Sequence, residues 1–293
     1  MSSKRTAFAW TAFQLTNSFH REFVAPHVVK VQVPGGFPYE AFDGQANIKP
    51  WSLLSLVESG GAFSYYGNHN DPEGGFLDFN TLYNDVLSFN VACSLTINRD
   101  LYRKETNKSP LIIKKKLVYA GTSSLNILAE VSHPETETPL AECRVQTVCV
   151  DKTTHRPKPF PEWWNEKYKK YSKPEEVLKW RLSYPRPPAV TSYVLIVQPS
   201  DCDTYSHTNW TNYLKFCCDA LVSTNVKKDG SNLKLPQIKS ALLSYINEGN
   251  VGEQLSVDFW SPPEKKCICF EILNEDKDII CQAQLEMHEN SRL

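Results

Sequence analysis

Residues 190–225, VTSYVLIVQPSDCDTYSHTNWTNYLKFCCDALVSTN, decide how the chain reads. The first eight form a β-branched run, which suits a strand. From about Asn209 to Asn225 the period changes: Trp210, Tyr213, Leu214, Cys217 and Leu221 recur at helical spacing on one apolar side. Between the two lies a polar loop in which Asp201, Asp203, His207 and Asn209 fall within nine residues. A loop that ends at a helix N-terminus is a natural ligand-facing place. The first turn leaves N–H groups unpaired, and the positive end of the helix dipole favours negative charge.

Outward from this segment, LSVDFW (255–260) and CICFEIL (267–273) read as further strands. Near the C-terminus Ile279, Cys281, Ala283, Leu285 and Met287 alternate with Gln282, Gln284 and Glu286. Period two with one apolar face predicts an antiparallel strand. The middle of the chain repeats the pattern, with Ala141, Cys143, Val145, Thr147 and Cys149 alternating with Glu142, Arg144 and Gln146. Upstream, WSLLSLVESGGAF (51–63) follows Pro50, a good first-turn residue, and carries Trp51, Leu54 and Val57 at helical spacing. Each half thus reads strand, long helix, then several antiparallel strands. The expected division is 1–151, a linker over 152–189, and 190–293. The linker is rich in Pro, Lys and Trp, and prolines disfavour regular strand. Trp163, Trp164, Tyr168 and Tyr171 are expected to pin it to the surface.

The 293 residues carry 32 basic and 33 acidic side chains, a net charge of −1, which argues against a general nucleic-acid binder. No apolar run approaches the roughly 18 residues that span a bilayer. None of the nine cysteines forms a C-x-x-C pair, so zinc and redox spacings are missing and no metal is expected. An odd cysteine count fits reduced thiols and a cytoplasmic setting. Lys4, Arg5 and Arg21, with no acid before Glu22, leave a mitochondrial presequence as the minor alternative.

The motif D-x-D-x-x-x-H-x-N-x-x-x-Y-L, from Asp201 to Leu214, resembles the loop-plus-helix motif of hotdog-fold acyl thioesterases. It is similar to the motif in the second half of plant acyl-ACP thioesterases and to the G-D-C-D-P loop of 4-hydroxybenzoyl-CoA thioesterases. SYINEGNVGEQLSVDFW (244–260) extends the likeness, and the first half resembles the end of a hotdog repeat only in pattern. The resemblance implies an α+β double hotdog: two tandem antiparallel sheets, each wrapped round a long central helix. The first hotdog would hold the acyl pocket and the second the catalytic motif.

Residue by residue, Asp203 falls on the catalytic aspartate, His207 on the plant enzymes' histidine, and Glu248 on a glutamate near their active site. The resemblance also implies substrate-binding positions at Tyr205, Thr208, Asn209 and Tyr213, a substrate on CoA or acyl carrier protein, no cofactor, and a homodimer. Tyr205 stands where the family has asparagine, and Gly249 where plant enzymes have cysteine. The expected reaction is thioester hydrolysis, with Asp203 as general base and His207 assisting. An inactive fatty-acyl binder, a hotdog hydratase and an acyl-transfer or polyketide-processing enzyme stay open beside it.

Blander readings stand alongside. Asp201 and Asn209 are ordinary caps, Glu248 reads equally as a solvent-facing strand residue, and Glu58 and Asp219 read as structural polar groups on their helices. Asp43 precedes the first helix much as Asp203 precedes the second, without a histidine beside it. Lys114, Lys115 and Lys116 read either as a phosphate or carrier contact or, more simply, as a solvated edge strand.

Overall fold

The computed structural model describes residues 20–65, 75–84, 86–136, 138–203, 206–229, 235–263 and 265–289. Lys4, Arg5 and Tyr205 lie outside them. The chain divides into two compact units. Unit 1 takes residues 1–37, 55–91 and 107–178; unit 2 takes 38–54, 92–106 and 179–293.

Eleven strands are named in chain order: β1 (His20–Ala25), β2 (Val28–Val33), β3 (Val86–Ile97), β4 (Leu111–Ala120), β5 (Ser124–Ser132) and β6 (Ala141–Asp151). Then follow β7 (Thr191–Ile196), β8 (Ile238–Tyr245), β9 (Gln254–Trp260), β10 (Cys267–Leu273) and β11 (Ile279–Met287). Three helices matter here: α1 (Pro50–Tyr65), α2 (Glu162–Tyr168) and α3 (Asn212–Asp229).

In unit 1 the strands run β1-β2-β4-β5-β6, with the first part of β3 beside β6. In unit 2 the second part of β3 pairs with β8, followed by β11, β10, β9 and β7. All the registers are antiparallel, as in Lys114↔Glu130, Cys281↔Tyr245 and Tyr193↔Val257. The order β2-β4-β5-β6-β3 therefore recurs as β7-β9-β10-β11-β8. The internal duplication expected from the paired helices and alternating strands is a repeat of topology.

Each long helix lies on a sheet. In unit 1, α1 approaches β4 closely at Gly60 and Gly61, where a β-carbon would meet Ile113 and Lys115 side chains at 2.7 Å. In unit 2, α3 lies against β7, β9 and β11. Tyr213, Leu214, Phe216, Cys217, Cys218, Ala220 and Leu221 are all buried, so α3 is apolar around most of its girth. It begins three residues later than the sequence pattern suggests, because residues 209–211 form a turn closed by the Asn212 N–H on the Asn209 carbonyl at 2.9 Å. Burial raises the Cys217, Cys218 and Cys281 thiols, which behave as small core hydrophobes.

Residues 152–189 contain the short helix α2. Within unit 1, Trp164 is fully buried and donates its indole N–H to the Leu77 carbonyl at 3.0 Å. Tyr168 donates to Asp78 at 2.9 Å, and the Tyr171 ring stacks on His27 at 3.8 Å. Trp163 remains 38% exposed, so one aromatic of that pair does the pinning. Within unit 2, Leu182, Tyr184 and Val190 pack on Trp260, Cys267 and Cys269, and Arg186 pairs with Glu271 and Asp258.

Two sequence expectations need correction. Gln146 is buried, because its amide oxygen accepts from Asn126 at 3.2 Å and from the Leu178 N–H under the linker. Residues 114–116 are not on an edge: β4 lies between β2 and β5, Lys114 pairs with Glu130, and Lys115 is 4% exposed.

Candidate active site

The site loop starts where β7 ends. A single 3-10 turn (Pro199–Asp201) turns the chain, and Asp201 fixes it by accepting the Gln198 N–H at 3.0 Å. Next comes a tight loop. The Asp203 N–H donates to the His207 carbonyl at 2.8 Å, the Ser206 N–H donates to the Asp203 carbonyl at 3.1 Å, and Ser206 adopts φ +68°. Cys202 and Thr208 close it as an isolated antiparallel bridge. The result presents Asp203 and His207 together, with the His207 N–H directed at Asp203 Oδ1 at 3.4 Å.

Glu248 arrives from the turn between β8 and β9. That turn is bound to the loop through the Thr208 N–H on the Gly249 carbonyl at 2.7 Å and a His207↔Asn250 bridge. His207 Nδ1 then lies 3.1 Å from Glu248 Oε2, with the two side chains 35% and 45% exposed. Sequence reasoning left Glu248 balanced between a site and a surface role; the structure puts its carboxylate on the imidazole. That contact sets Nδ1 against the carboxylate and leaves Nε2 as the other ring nitrogen.

The remaining predicted positions support the loop. Tyr213 is buried in α3, accepts the Gly249 N–H at 3.0 Å, and has its hydroxyl pKa raised by burial. Thr208 is buried beneath the same turn. A β-carbon at Gly249 would fall 2.9 Å from Thr208 Oγ1, which explains why no larger residue stands there. Asn209 accepts from the Thr211 N–H and hydroxyl at 3.0 and 2.8 Å, the geometry of a helix cap. Asp201 is buried and ties Lys215 and the Asn212 amide to the turn, so it is a structural anchor. Lys215 also pairs with Asp219 at 3.3 Å; burial raises the Asp219 carboxyl while Lys215 opposes the shift.

A second loop of the same design precedes α1. The Asp43 N–H donates to the Asn47 carbonyl at 2.8 Å, the Ala46 N–H donates to the Asp43 carbonyl at 3.0 Å, and Ala46 has φ +63°. Phe42 and Ile48 form the bridge. A cavity of about 350 Å³ in unit 2 is lined by Asp43 and Lys49 of this loop together with Asp219 and Val222 of α3. Sequence reasoning noticed the position of Asp43 but not the cavity beside it. Among the described residues, no three His, Cys, Asp or Glu side chains are grouped to hold a metal ion. No helix among them is long and apolar enough to cross a membrane.

A helix cradled by a sheet of order β7-β9-β10-β11-β8, present twice, defines a double-hotdog protein. Among solved structures, the chain is similar to the 12:0-ACP thioesterase from Umbellularia californica at TM-score 0.66 and 12% identity, covering 91% of this chain and 99% of that one. An acyl-ACP thioesterase from Bacteroides thetaiotaomicron aligns at TM-score 0.63 and 12% identity over 89% of this chain and 98% of the other. The tesB protein of Mycobacterium avium subs paratuberculosis aligns at 0.51 and 11%, over 94% and 98%. No protein-family model and no curated protein sequence matches the chain. The chain has the hotdog fold of these thioesterases in its tandem form.

Proposed function

We propose that the chain hydrolyses acyl thioesters carried on CoA or on acyl carrier protein, at the loop that holds Asp203 and His207. The observation that carries this reading is the contact of His207 Nδ1 with Glu248 Oε2, 3.1 Å, in the short loop where Asp203 Oδ1 accepts the His207 backbone N–H at 3.4 Å. In the proposed reaction a water oxygen attacks the thioester carbonyl as Asp203 takes its proton. The developing oxyanion is met by N–H groups of the first turn of α3. The carbon–sulfur bond then breaks. The thiol ionises near pH 8.5, so it leaves with little help from an acid.

A second assignment of the base has its own support. His207 with a carboxylate on one ring nitrogen is arranged as an oriented imidazole base, leaving Asp203 to position the water. Thr208, Asn209 and Tyr213 act through the loop and the helix cap. The first hotdog serves as the acyl-binding half; a cytoplasmic setting and a homodimer belong to the same reading.

The test is thiol release from a panel of acyl-CoA and acyl-carrier substrates by wild type, Asp203→Asn, His207→Ala and Glu248→Gln. Asp203→Asn as the largest loss supports the aspartate base. His207→Ala as the largest, with an intermediate loss in Glu248→Gln, supports the imidazole. Acyl consumption that requires an added amine or alcohol would replace hydrolysis by transfer.

A further inference from the structure

In unit 2, β7 is the last strand of the sheet, and among the described residues it pairs with β9 alone. Its counterpart in the repeat, β2 of unit 1, has a further strand beside it. There Arg21 and Phe23 of β1 stand opposite Val31 and Val29, both fully buried. Among the described residues no strand takes the place of β1 beside β7. The chain that leads into β7 is committed elsewhere, with Leu182, Tyr184 and Val190 packed on Trp260, Cys267 and Cys269. Every residue of β7 is exposed or half-buried. Val194 and Ile196, on the side turned from the buried Leu255 and Val257, are 55% and 54% exposed. The Val197 N–H donates to the Glu253 carbonyl and its carbonyl accepts the Gly252 N–H, both at 2.9 Å. Backbone groups alternate along a strand, so those of Ser192, Val194 and Ile196 turn to the open side. An uncovered row of this kind is a template for another strand, and edges that stay free usually carry charge or proline. β1 carries His20, Arg21 and Glu22; β7, TSYVLI, carries no charge and no proline.

We infer that β7 is a docking edge for a second copy of this chain, paired antiparallel about a two-fold axis at Val194. In that register Val194 faces its own copy and Ser192 faces Ile196 of the second copy. The outward N–H and C=O groups then meet as hydrogen-bonded pairs. A strand that faces its own image needs side chains that tolerate it, and β7 brings no like charges together. The occupant is argued from the repeat itself, because an antiparallel strand covers the matching edge of unit 1. An edge of six residues is smaller than the usual interface of about 1,600 Å², so dissociation is expected at about micromolar concentration. This names the contact surface of the homodimer in the functional reading, and it rests on the edge of unit 2 rather than on thioester chemistry.

The experiment is sedimentation velocity over about 1–100 µM with wild type, Val194→Lys and Val24→Lys. The wild type is expected to pass from monomer to dimer. V194K should weaken association at least about tenfold, because two ammonium groups would meet at the axis. V24K should leave it unchanged, since Val24 is 50% exposed but lies on β1. A wild type that stays monomeric throughout overturns the inference, and so does a dimer that V194K leaves intact or that both variants weaken alike. Hydrogen exchange of the wild type needs no variant: the amides of residues 191–196 should slow as concentration rises. A dimer that forms without slowing them overturns the inference, and this arm decides alone if V194K fails to fold. None of these readouts requires release of thiol from a thioester.

Discussion

The loops at Asp43 and Asp203 are copies of one backbone. A single constant shift in numbering carries Asp43 onto Asp203, Ala46 onto Ser206, Asn47 onto His207 and Lys49 onto Asn209. It also carries the hydrogen bonds: the Lys49 N–H donates to the Ala41 carbonyl and the Asn209 N–H to the Asp201 carbonyl, both at 2.8 Å. The side chains diverge. Asp43 spends Oδ1 on the Gln45 and Asn47 N–H groups at 2.9 and 2.8 Å, and the Asn47 amide turns back onto Oδ2 at 3.4 Å. At the second loop an imidazole replaces that amide and reaches out to Glu248. The aspartate and its turn are thus a structural device of the repeat, and the two loops differ in the side chain that stands four residues later. A shared aspartate alone therefore says little about activity.

The largest expected difference follows from that contrast. Asp203→Asn should lower kcat by about 100-fold or more, in the range of losing a positioned acid–base group. Asp43→Asn should leave kcat within about twofold while reducing stability by about 1 kcal/mol, the usual cost of weakening a local turn or cap. Equal losses at the two loops would break the comparison.

Gly249→Cys comes next. Its β-carbon would press on Thr208 Oγ1 at 2.9 Å and disturb the turn that delivers Glu248, so activity should fall about tenfold with a stability loss of about 1–3 kcal/mol. Gly44→Ala in the other loop meets nothing within 4 Å and should change neither activity nor Tm. A smaller contrast concerns the helix starts. Asn209→Ala removes the acceptor of two hydrogen bonds and should cost about 1 kcal/mol, a fall of about 2–4 °C in Tm. Lys49→Ala at the matching place loses an exposed contact to the Glu40 carbonyl and should cost less than about 0.5 kcal/mol. Asn47→His is the smallest: an imidazole supplied to the first loop should add no turnover.

Much of this was legible where burial is one-sided. The alternation at 279–287 and the apolar runs at 255–260 and 267–273 became β11, β9 and β10, with ends within a residue of those read from the pattern. The pairing of Asp203 with His207 was legible because both sit in one short loop. Glu248 came only through the family resemblance, since its place depends on the Thr208–Gly249 and His207–Asn250 contacts between distant segments. Lys115 was misread for a related reason. Three consecutive lysines look solvated, but in a strand alternate side chains face opposite sides, and the middle one turned under α1. Gln146 broke its alternation because the linker, whose prolines hide any periodicity, covers it.

The most direct test of the central claim is thiol release from acyl-CoA and acyl-carrier substrates by wild type, Asp203→Asn and Asp43→Asn, assayed in parallel. The account predicts release by the wild type and by Asp43→Asn, and loss of it in Asp203→Asn. Undiminished release by Asp203→Asn, or its loss in Asp43→Asn with the fold intact, would contradict it.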